Sequence, residues 1–280
     1  MSRTWVRLVG TVAVFALLVW RLGTGPFVDG VRTVDGRALA AATGLAVLTT
    51  VCCAWRWKIV ARGLGVELSL PGAVAAYYRS LFLNVTLPGG IVGDVHRGIS
   101  HGREVRDVGR AVRAVACERF AGQVVQAVLT VAVLLALPSP VRSSMPLVAL
   151  VVVVVTVGVV LAAARRGLLA HRGAWLGVAV ASALVVCGHA ATFLIAARTA
   201  GATAPMSQMV PLALLVMLAM VLPSAAGWGP REGAAAWAFG AAGLGAGLGV
   251  ATAVVYGVLV FAASLPGAAV LVVSWCRAHA

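Results

Sequence analysis

The chain has 280 residues, of which 61% are hydrophobic and 11% are charged. A soluble domain carries about 25% charged residues, so this composition excludes an ordinary soluble protein. The formal net charge is +14. In so apolar a chain, a basic excess is typical of cytoplasmic loops and of contact with anionic lipid headgroups, so we expect no nucleic-acid partner.

Long apolar stretches follow one another along the chain. They span residues 5–20, 38–57, 70–87, 114–137, 145–164, 174–197 and 206–222, followed by a Gly/Ala-rich tail to 276. Apolar runs of about 18 or more residues are typical of helices that cross a bilayer. The first stretch lacks a convincing small-residue cleavage site, so we expect an uncleaved helix rather than a signal peptide. The sequence therefore predicts an all-α polytopic membrane protein, with one membrane domain over residues 1–280.

The basic residues between these stretches orient the chain, because cytoplasmic loops carry an excess of Arg and Lys. The N-terminus, with Arg3 and Arg7, is then cytoplasmic. The second helix returns to a basic cluster formed by Arg56, Lys58 and Arg62, which we expect on the same side.

The stretch 70–87 conflicts with this orientation if it crosses the bilayer. The densest basic group would then lie outside; its members are Arg97, Arg103, Arg106, Arg110 and Arg113. The conflict disappears if residues 70–96 form a re-entrant helical hairpin that turns at residues 87–90 and both enters and leaves on the cytoplasmic side. Non-helical backbone at membrane depth is tolerated only inside protein or beside a wet cavity, so this hairpin implies a site.

The same reasoning predicts a second hairpin over residues 206–245, entered from the outside and broken at 222–233. The last helix, about 247–276, returns the C-terminus to the cytoplasm. We thus expect about six full transmembrane helices and two re-entrant hairpins in the plasma membrane. Each break has Leu-Pro, small residues, an acid and an arginine. This similarity suggests an inverted pair, and such interrupted segments point to a transporter's binding site.

Charged groups in these segments are the first candidates for function. A charge inside a membrane costs about 2.5–3.5 kcal/mol and usually marks a pathway or a pair. The charged candidates are Asp94, Arg97, Glu118, Arg119, Arg231 and Glu232. The sequence leaves two interpretations open: the charges bind a substrate, or they pair with one another to stabilise the fold.

Glycines form the second group of candidates, because glycine permits positive φ and close backbone approach. They are Gly89, Gly90, Gly93, Gly227 and Gly229. A broken helix also presents backbone N–H groups at the start of its second half, which favour a phosphate or carboxylate. The alternative is that these glycines only permit tight helix packing.

The segment after the first hairpin has a helical charge pattern. Four arginines recur at i, i+3, i+7 and i+10 from Arg103, with valines on the opposite face, so we expect one amphipathic helix at the interface. A polar stripe of Arg119, Gln123 and Gln126 then enters the bilayer. Glu118 points about 100° away from the stripe, where it can neutralise an arginine of a neighbouring element.

Motifs of soluble enzymes are absent from the sequence, which has no HExxH, GxSxG, P-loop or Cys/His metal spacing. We therefore expect no metal, no cofactor and no assigned catalytic residue. The five cysteines lie within or beside apolar runs and are expected to be small buried hydrophobes. His189 is a lone polar residue in its helix, for which we expect a hydrogen bond to a neighbouring helix.

Three ordered motifs resemble the transmembrane region of lysylphosphatidylglycerol synthases, a flippase-like integral membrane family. The family pattern N-x-x-x-P-G-G-x-G-D-x-x-R is matched by Asn84, Pro88, Gly89, Gly90, Gly93, Asp94 and Arg97, with one additional residue between Gly90 and Gly93. The E-R pair is matched by Glu118 and Arg119. The late P-x-x-x-G-x-G-x-R-E is matched by Pro223, Gly227, Gly229, Arg231 and Glu232, although Pro230 stands where an aliphatic residue is common.

The resemblance implies the handling of lipid, above all translocation of an anionic, aminoacylated or isoprenoid-linked lipid. In full-length synthases a soluble aminoacyltransferase domain follows this region, whereas this chain stops at Ala280, so we expect the membrane module without lysyl transfer. The arginines would hold a headgroup phosphate, and the acids would balance charge or bind an aminoacyl amine. The candidate lipid-binding residues are Asn84, Gly89, Gly90, Gly93, Asp94, Arg97, Glu118, Arg119, Gln123, Gly227, Gly229, Arg231 and Glu232.

Two other functions remain open at this point. The protein could be a membrane-embedded enzyme in which Asp94, with His96 or Glu118, acts as acid and base. It could also be a non-catalytic partner of a glycosyltransferase or lipid-modifying enzyme. Whether the chain forms a homo-oligomer is also open, and membrane lipids with anionic headgroups are the expected partners.

Overall fold

The computed structural model describes residues 16, 20, 24–87, 90–140, 150–154, 156–158, 172–220 and 229–279. The regular structure in these residues is helical throughout, which confirms the all-α class. In chain order the helices are α1 (Gly25–Arg32), α2 (Gly36–Gly63), α3 (Leu70–Thr86), α4 (Val92–Glu104), α5 (Val108–Ala136), α6 (Arg172–Thr199), α7 (Met206–Ala219), α8 (Pro230–Ala241), α9 (Ala246–Ser264) and α10 (Pro266–His279). Residues 150–154 and 156–158 are also helical.

Within the described residues, four helical segments are long and apolar enough to cross a membrane. They are Gly36–Gly63, Val108–Ala136, Gly173–Thr199 and Ala246–Ser274, and a shorter apolar helix spans Met206–Ala219. Each of the four corresponds to a predicted crossing helix. The predicted crossing helices at 5–20 and 145–164 lie wholly or mostly outside the described residues, so the total of six stays a prediction.

The helix ends follow local sequence signals. α2 begins where the Asp35 side chain accepts a hydrogen bond from the Ala38 N–H at 2.7 Å. α3 begins where Ser69 Oγ accepts from the Gly72 N–H at 3.3 Å, and it ends at the residues that precede Pro88. At the start of α2 and of α3, a side-chain cap thus satisfies a free backbone donor. α3 ends before the proline because the residue that precedes a proline disfavours the helical conformation.

The prediction of one continuous amphipathic helix is wrong. α4 ends at Glu104, Arg106 has a φ of +58°, and α5 begins at Val108. The Asp107 side chain caps α5 by accepting a hydrogen bond from the Arg110 N–H at 2.9 Å. A positive φ interrupts the helix even though the charge period continues through it, because a period describes side chains and not backbone hydrogen bonds.

A helical hairpin formed by α3 and α4 stands at the first predicted position, and its re-entry into the membrane stays a prediction. Gly90, in the turn, has a φ of +65°, and α4 packs directly on α3. A Cβ atom on Gly93 would lie 2.0 Å from the backbone oxygen of Ser80, so only glycine permits this approach. The second limb continues beyond the predicted end at 96, to Glu104.

The second predicted hairpin corresponds to α7 and α8, which also pack on each other. Gln208 Nε2, near the start of α7, donates to the backbone oxygen of Ala242, just after α8, at 3.1 Å. Gly229 precedes α8 with a φ of +102°. The rest of the break, residues 221–228, lies outside the described residues.

The last predicted helix has a break at one residue, Leu265. α9 ends at Ser264, Leu265 follows, and α10 begins with Pro266. Proline has no N–H and clashes with the preceding turn, which makes it a residue that begins a helix rather than continues one. The predicted helix over about 247–276 nevertheless agrees with the apolar segment Ala246–Ser274, because Leu265 itself has a helical backbone conformation.

The bundle is organised around α2, which packs against α3, α5, α6 and α9. One apolar cluster joins α2 to the first hairpin and α5; it includes Trp57 and Tyr77, whose ring centroids lie 6.3 Å apart. A second cluster joins α6 to the second hairpin and α9; it includes Phe193, Phe239 and Tyr256. Each hairpin thus has its own apolar support.

Replacing Gly93 by alanine should destabilise the protein by about 1–3 kcal/mol, because the new methyl group would push α4 away from α3. The thermal midpoint of purified protein in detergent measures the effect. Gly44→Ala in α2 is the matched control, since a Cβ there meets nothing within 4 Å. Equal midpoints for the two variants would show that the close contact does not hold the hairpin.

Candidate functional site

Four helices meet at the carboxylate of Glu118, which is 0% exposed in α5. One oxygen accepts hydrogen bonds from Arg56 of α2, through Nε at 2.8 Å and through Nη2. Tyr77 of α3 donates its hydroxyl to the same oxygen at 2.8 Å. The other oxygen accepts from Arg97 Nη2 of α4 at 3.2 Å. Glu118 therefore ties the first hairpin to the helices behind it.

Arg97 is fully buried between acids and aromatic rings. Its Nη2 also donates to Asp94 Oδ1 at 2.9 Å. Its guanidinium carbon lies 4.4 Å from the ring centroid of Trp57 and 3.9 Å from that of Tyr77. A cation over an aromatic face is stabilised by the ring quadrupole, most strongly where water is excluded. Nε and Nη1 have no hydrogen-bond partner in the described part of the chain, so the rings and the two acids hold this cation.

Asp94 links the two limbs of the hairpin and forms an ion pair with the next helix. Its Oδ1 accepts from Ser80 Oγ at 3.2 Å, and its Oδ2 accepts from Asn84 Nδ2 at 2.9 Å. Asn84 in turn accepts the Gly93 N–H at 2.8 Å. Arg119 of α5 forms an ion pair with Asp94 Oδ2 at 2.8 Å. The two limbs are thus joined by side chains as well as by close backbone contact.

We call Arg56, Asp94, Arg97, Glu118 and Arg119 the hairpin network. Three arginines and two carboxylates give it a net charge of +1. Four of its side chains are buried, whereas that of Arg119 is 44% exposed. The network therefore carries one uncompensated positive charge and ends in an accessible arginine.

The second hairpin has a buried ion pair of its own. Glu232 accepts from Arg231 Nε at 2.8 Å through one oxygen and from the Gly229 N–H at 2.7 Å through the other. The Arg231 guanidinium carbon lies 5.6 Å from the ring centroid of Tyr256 in α9. Arg231 and Glu232 are both buried. Charged side chains in apolar surroundings usually pair with each other, as these two do.

The N-termini of α4 and α8 already have acidic residues beside them. Asp94 and Glu232 are each the third residue of their helix, where a carboxylate compensates the helix dipole. The Gly93 and Gly229 N–H groups both donate hydrogen bonds to side chains of the protein itself. A phosphate at either N-terminus would have to displace these contacts.

A pocket with about 570 Å³ of empty volume, its mouth included, lies between α2, α3, α6 and α9. Its lining is mainly apolar; the polar residues in it are Thr49, Thr50, Tyr77, His189, Thr192 and Ser264. Tyr77 belongs to both features, because it lines the pocket and donates to Glu118. The hairpin network and the pocket are therefore adjacent.

The comparisons with known proteins agree with the sequence motifs that contribute residues to the hairpin network. The family model for the lysylphosphatidylglycerol synthase TM region matches residues 4–172, more than half of the chain. The chain belongs to this family. The match contains α1 to α5, and hence the whole hairpin network, whereas the second hairpin lies beyond it. No curated protein and no solved structure matches the chain.

The other candidate lipid-binding residues fall into three groups in the structure. Asn84, Gly93 and Asp94 form the junction of the first hairpin, with Gly90 in its turn. Gln123 is half-buried, one turn after Arg119 on the same helix. Gly89 and Gly227 lie outside the described residues, and the described residues contain no cluster of His, Cys, Asp and Glu that could hold a metal.

The sequence places Arg56 in a basic cluster with Lys58 and Arg62 and does not predict its burial. Arg56 is buried, where it bonds Glu118 and donates from Nη1 to Ser182 Oγ of α6 at 3.0 Å. Gly122 was missed as well: a Cβ there would lie 2.5 Å from Arg56 Nη1, so this glycine makes room for the guanidinium. The spacing of Glu118 and Gly122, one turn apart, is a signal that could have been used.

Tyr77 and Ser80 were also missed as members of the site. With Asn84 they stand at i, i+3 and i+7, so the three polar side chains share one face of α3. His96, by contrast, is exposed on α4 and lies outside the network.

Replacing Gly122 by alanine should destabilise the protein although alanine favours helix. The methyl group would displace the Arg56 guanidinium from Glu118, and overpacking of this kind costs about 1–3 kcal/mol. Gly109→Ala in the same helix is the control, because its nearest neighbour would lie at an ordinary 3.8 Å. The thermal midpoint should fall for Gly122→Ala and stay level or rise for Gly109→Ala; the reverse order would contradict the packing argument.

Proposed function

We propose that the protein is a flippase-like lipid transporter that holds an anionic headgroup at Arg119. The observation that carries this proposal is the net positive hairpin network with its half-exposed arginine. Membership of the lysylphosphatidylglycerol synthase TM family supports a membrane protein of lipid modification or transport. An excess charge that reaches the surface of an apolar bundle is suited to an anionic lipid, whose headgroup supplies the missing negative charge.

Arg119 has the chemistry for such a headgroup. Its ion pair with Asp94 uses Nη2, and a guanidinium has five N–H donors in a planar fork. The remaining donors can form paired hydrogen bonds with phosphate oxygens. Asp94 would hold the guanidinium in position while the headgroup binds. An aminoacylated lipid would add an amine, for which Asp94 is the nearest carboxylate in the network.

The exposed surface of the first hairpin supports entry into the bilayer. Its tip presents apolar side chains, namely Leu87, Ile91, Val92 and Val95. At the other end of α4, Arg103 and Arg106 are exposed. This distribution suits a hairpin whose tip lies in hydrocarbon while its base lies among anionic headgroups, with the base on the cytoplasmic side.

The two hairpins have matching local designs, which supports the proposed inverted pair. In each one a glycine with positive φ lies before the second limb, at Gly90 and Gly229. In each one the third residue of that limb is a buried acid bonded to an arginine of the same limb. Paired interrupted helices of this kind surround the substrate site in many transporters.

Acid–base chemistry fits the site less well than charge binding. Asp94 and Glu118 are each engaged with two arginines, and His96 is outside the network. An enzyme at this site would need a carboxyl group that is free to exchange a proton with its substrate. We therefore place transport first.

A native mass spectrum of the protein extracted in mild detergent tests the binding step. We expect adducts of an anionic phospholipid on the wild-type chain and a marked loss of those adducts in Arg119→Ala. Arg113→Ala removes another exposed arginine, one whose Nε donates to the Gly109 carbonyl, and should retain them. Adducts of zwitterionic lipid alone, or equal adducts on both variants, would contradict a headgroup site at Arg119.

A further inference from the structure

Polar contacts connect the pocket between α2, α3, α6 and α9 with both hairpins. One contact, on the α3 side, leads to the first hairpin, and another, on the α6 side, leads to the second. On the α3 side, Tyr77 lines the pocket and donates to Glu118 of the hairpin network. On the α6 side, His189 lines the pocket, and its Nδ1 is hydrogen-bonded to the Tyr256 hydroxyl at 3.2 Å. Tyr256 is the residue that lies beside Arg231 of the second hairpin.

The two hairpins are therefore linked by polar groups that run through the pocket. The order is the hairpin network, Tyr77, the pocket, His189, Tyr256 and then the Arg231–Glu232 pair. Ionisable groups inside a membrane protein that face its interior usually mark an ion path or a proton relay. A tyrosine hydroxyl and an imidazole can each donate and accept a proton, whereas arginine does not release its own.

The pocket has the polar groups that ordered water needs. Hydroxyl groups line it from three helices, at Thr49, Thr50, Thr192 and Ser264. The Thr50 hydroxyl oxygen is buried. A buried water requires two to four polar partners and enough room, and this pocket offers both. Water there would connect Tyr77 with His189.

Tyr256 allows His189 to exist in both protonation states. A neutral imidazole can accept the Tyr256 hydroxyl proton at Nδ1. A protonated imidazole has hydrogen on both ring nitrogens and donates from Nδ1 to the Tyr256 oxygen instead. The hydroxyl reverses its role by rotation, so neither state leaves Nδ1 without a partner.

The charged and titratable groups around His189 determine how readily it takes up a proton. α6 packs against α2, α5, α7 and α9. The titratable or charged groups near His189 on these helices are Cys53 and Arg56 on α2 and Tyr256 on α9, and Tyr77 of α3 also lines the pocket. α7 has no titratable residue. The nearest cation, Arg56, bonds Glu118 and contacts α6 at Ser182, about 10 Å along the helix from His189.

We propose that His189 is a proton-binding site and that lipid transport by this protein is coupled to proton movement through the pocket. A proton from bulk water would pass through pocket water to an imidazole nitrogen and leave by the same kind of exchange on the other side. Only N–H and O–H bonds form and break in this sequence. The inference depends on the proposed transport function, to which it adds the energy source.

Liposomes of phosphatidylglycerol and phosphatidylethanolamine, containing the purified chain, a trapped pH dye and labelled phosphatidylglycerol, measure both processes together. After a pH step, we expect the gradient to decay faster than in protein-free vesicles and to accelerate lipid movement. His189→Gln keeps a side chain that hydrogen-bonds Tyr256 but cannot titrate, so gradient decay should return to the protein-free rate while the protein stays folded. Ser274→Ala is the control that should retain decay, because the Ser274 hydroxyl donates to the Leu271 carbonyl and does not line the pocket.

The outcomes separate this inference from the proposed function. Lipid movement without proton movement, or wild-type gradient decay in a folded His189→Gln variant, would overturn proton coupling and leave transport intact. Proton movement without lipid movement would support the proton site and contradict lipid transport. Faster gradient decay that Ser274→Ala retains and His189→Gln abolishes, together with pH-driven lipid movement, is the expected result.

Discussion

Replacing Glu118 by glutamine should cause the largest loss of stability of any single substitution in the hairpin network. The amide would leave Arg56 and Arg97 buried with one fewer negative charge between them. Removing one partner of a buried ion pair typically costs about 3–5 kcal/mol, because the remaining charge is uncompensated. We expect a low yield of monodisperse protein in detergent, and a strongly lowered thermal midpoint for what remains.

Two further variants make this prediction specific to the buried charge. Glu104→Gln removes a carboxylate that is 70% exposed, and exposed pairs contribute only about 0–1 kcal/mol. Arg56→Gln combined with Glu118→Gln removes a positive and a negative charge together, so the double variant should lose less than the sum of the two single losses. A wild-type midpoint for Glu118→Gln, or strict additivity in the double variant, would contradict the pairing.

Replacing Arg119 by alanine should have the opposite profile, with transport lost and the fold kept. Arg119 is half-exposed, and its ion pair joins the side of the network that is nearest the surface. A hydrogen bond to a charged group contributes about 1.5–3 kcal/mol, so the loss of headgroup contacts should slow translocation of labelled phosphatidylglycerol about tenfold or more. Purified variants in liposomes, matched for protein content, provide the measurement.

Arg119→Lys and Arg113→Ala are the comparisons for this variant. Lysine keeps the charge but lacks the planar fork, so we expect an intermediate rate. Arg113 lies on the exposed face of α5 and should be replaceable without effect on transport. If Arg113→Ala slows translocation as much as Arg119→Ala does, general attraction of anionic lipid explains the rate and a site at Arg119 does not.

Local signals explain what the sequence could predict. Proline and glycine at the break, together with the arginines after it, were enough to place the first hairpin, since both act on the backbone near their own position. The prediction that Glu118 neutralises an arginine of a neighbouring element agrees with its bonds to Arg56 and Arg97. The expected hydrogen bond of His189 to another helix is also present, with Tyr256.

What the sequence could not provide depends on contacts between distant segments. Arg56 and Glu118 are 62 residues apart, and nothing near Arg56 in sequence distinguishes it from the neighbouring Lys58. The role of Gly122 follows only from the position of the Arg56 guanidinium, which is a property of the packed bundle. The break before α5 depends on one backbone angle at Arg106, which a charge period does not report.

The proposed mechanism assigns two tasks to the charges of the first hairpin. Arg56, Arg97 and Glu118 hold the hairpin against α2 and α5, since all three are buried and bonded to one another. Arg119, paired with Asp94, presents the remaining positive charge where a headgroup can reach it. This division explains why substitutions at Glu118 and at Arg119 should differ in kind and not only in size.

Translocation of labelled lipid by the wild-type chain in liposomes tests the central claim most directly. A quencher added outside removes the signal of outward-facing lipid, so the fraction that becomes accessible over time measures movement between leaflets. We expect the protein to accelerate labelled phosphatidylglycerol clearly and labelled phosphatidylcholine little, because only the former supplies the net negative headgroup that Arg119 would bind. No acceleration of the anionic lipid, or equal acceleration of both lipids, would contradict the account.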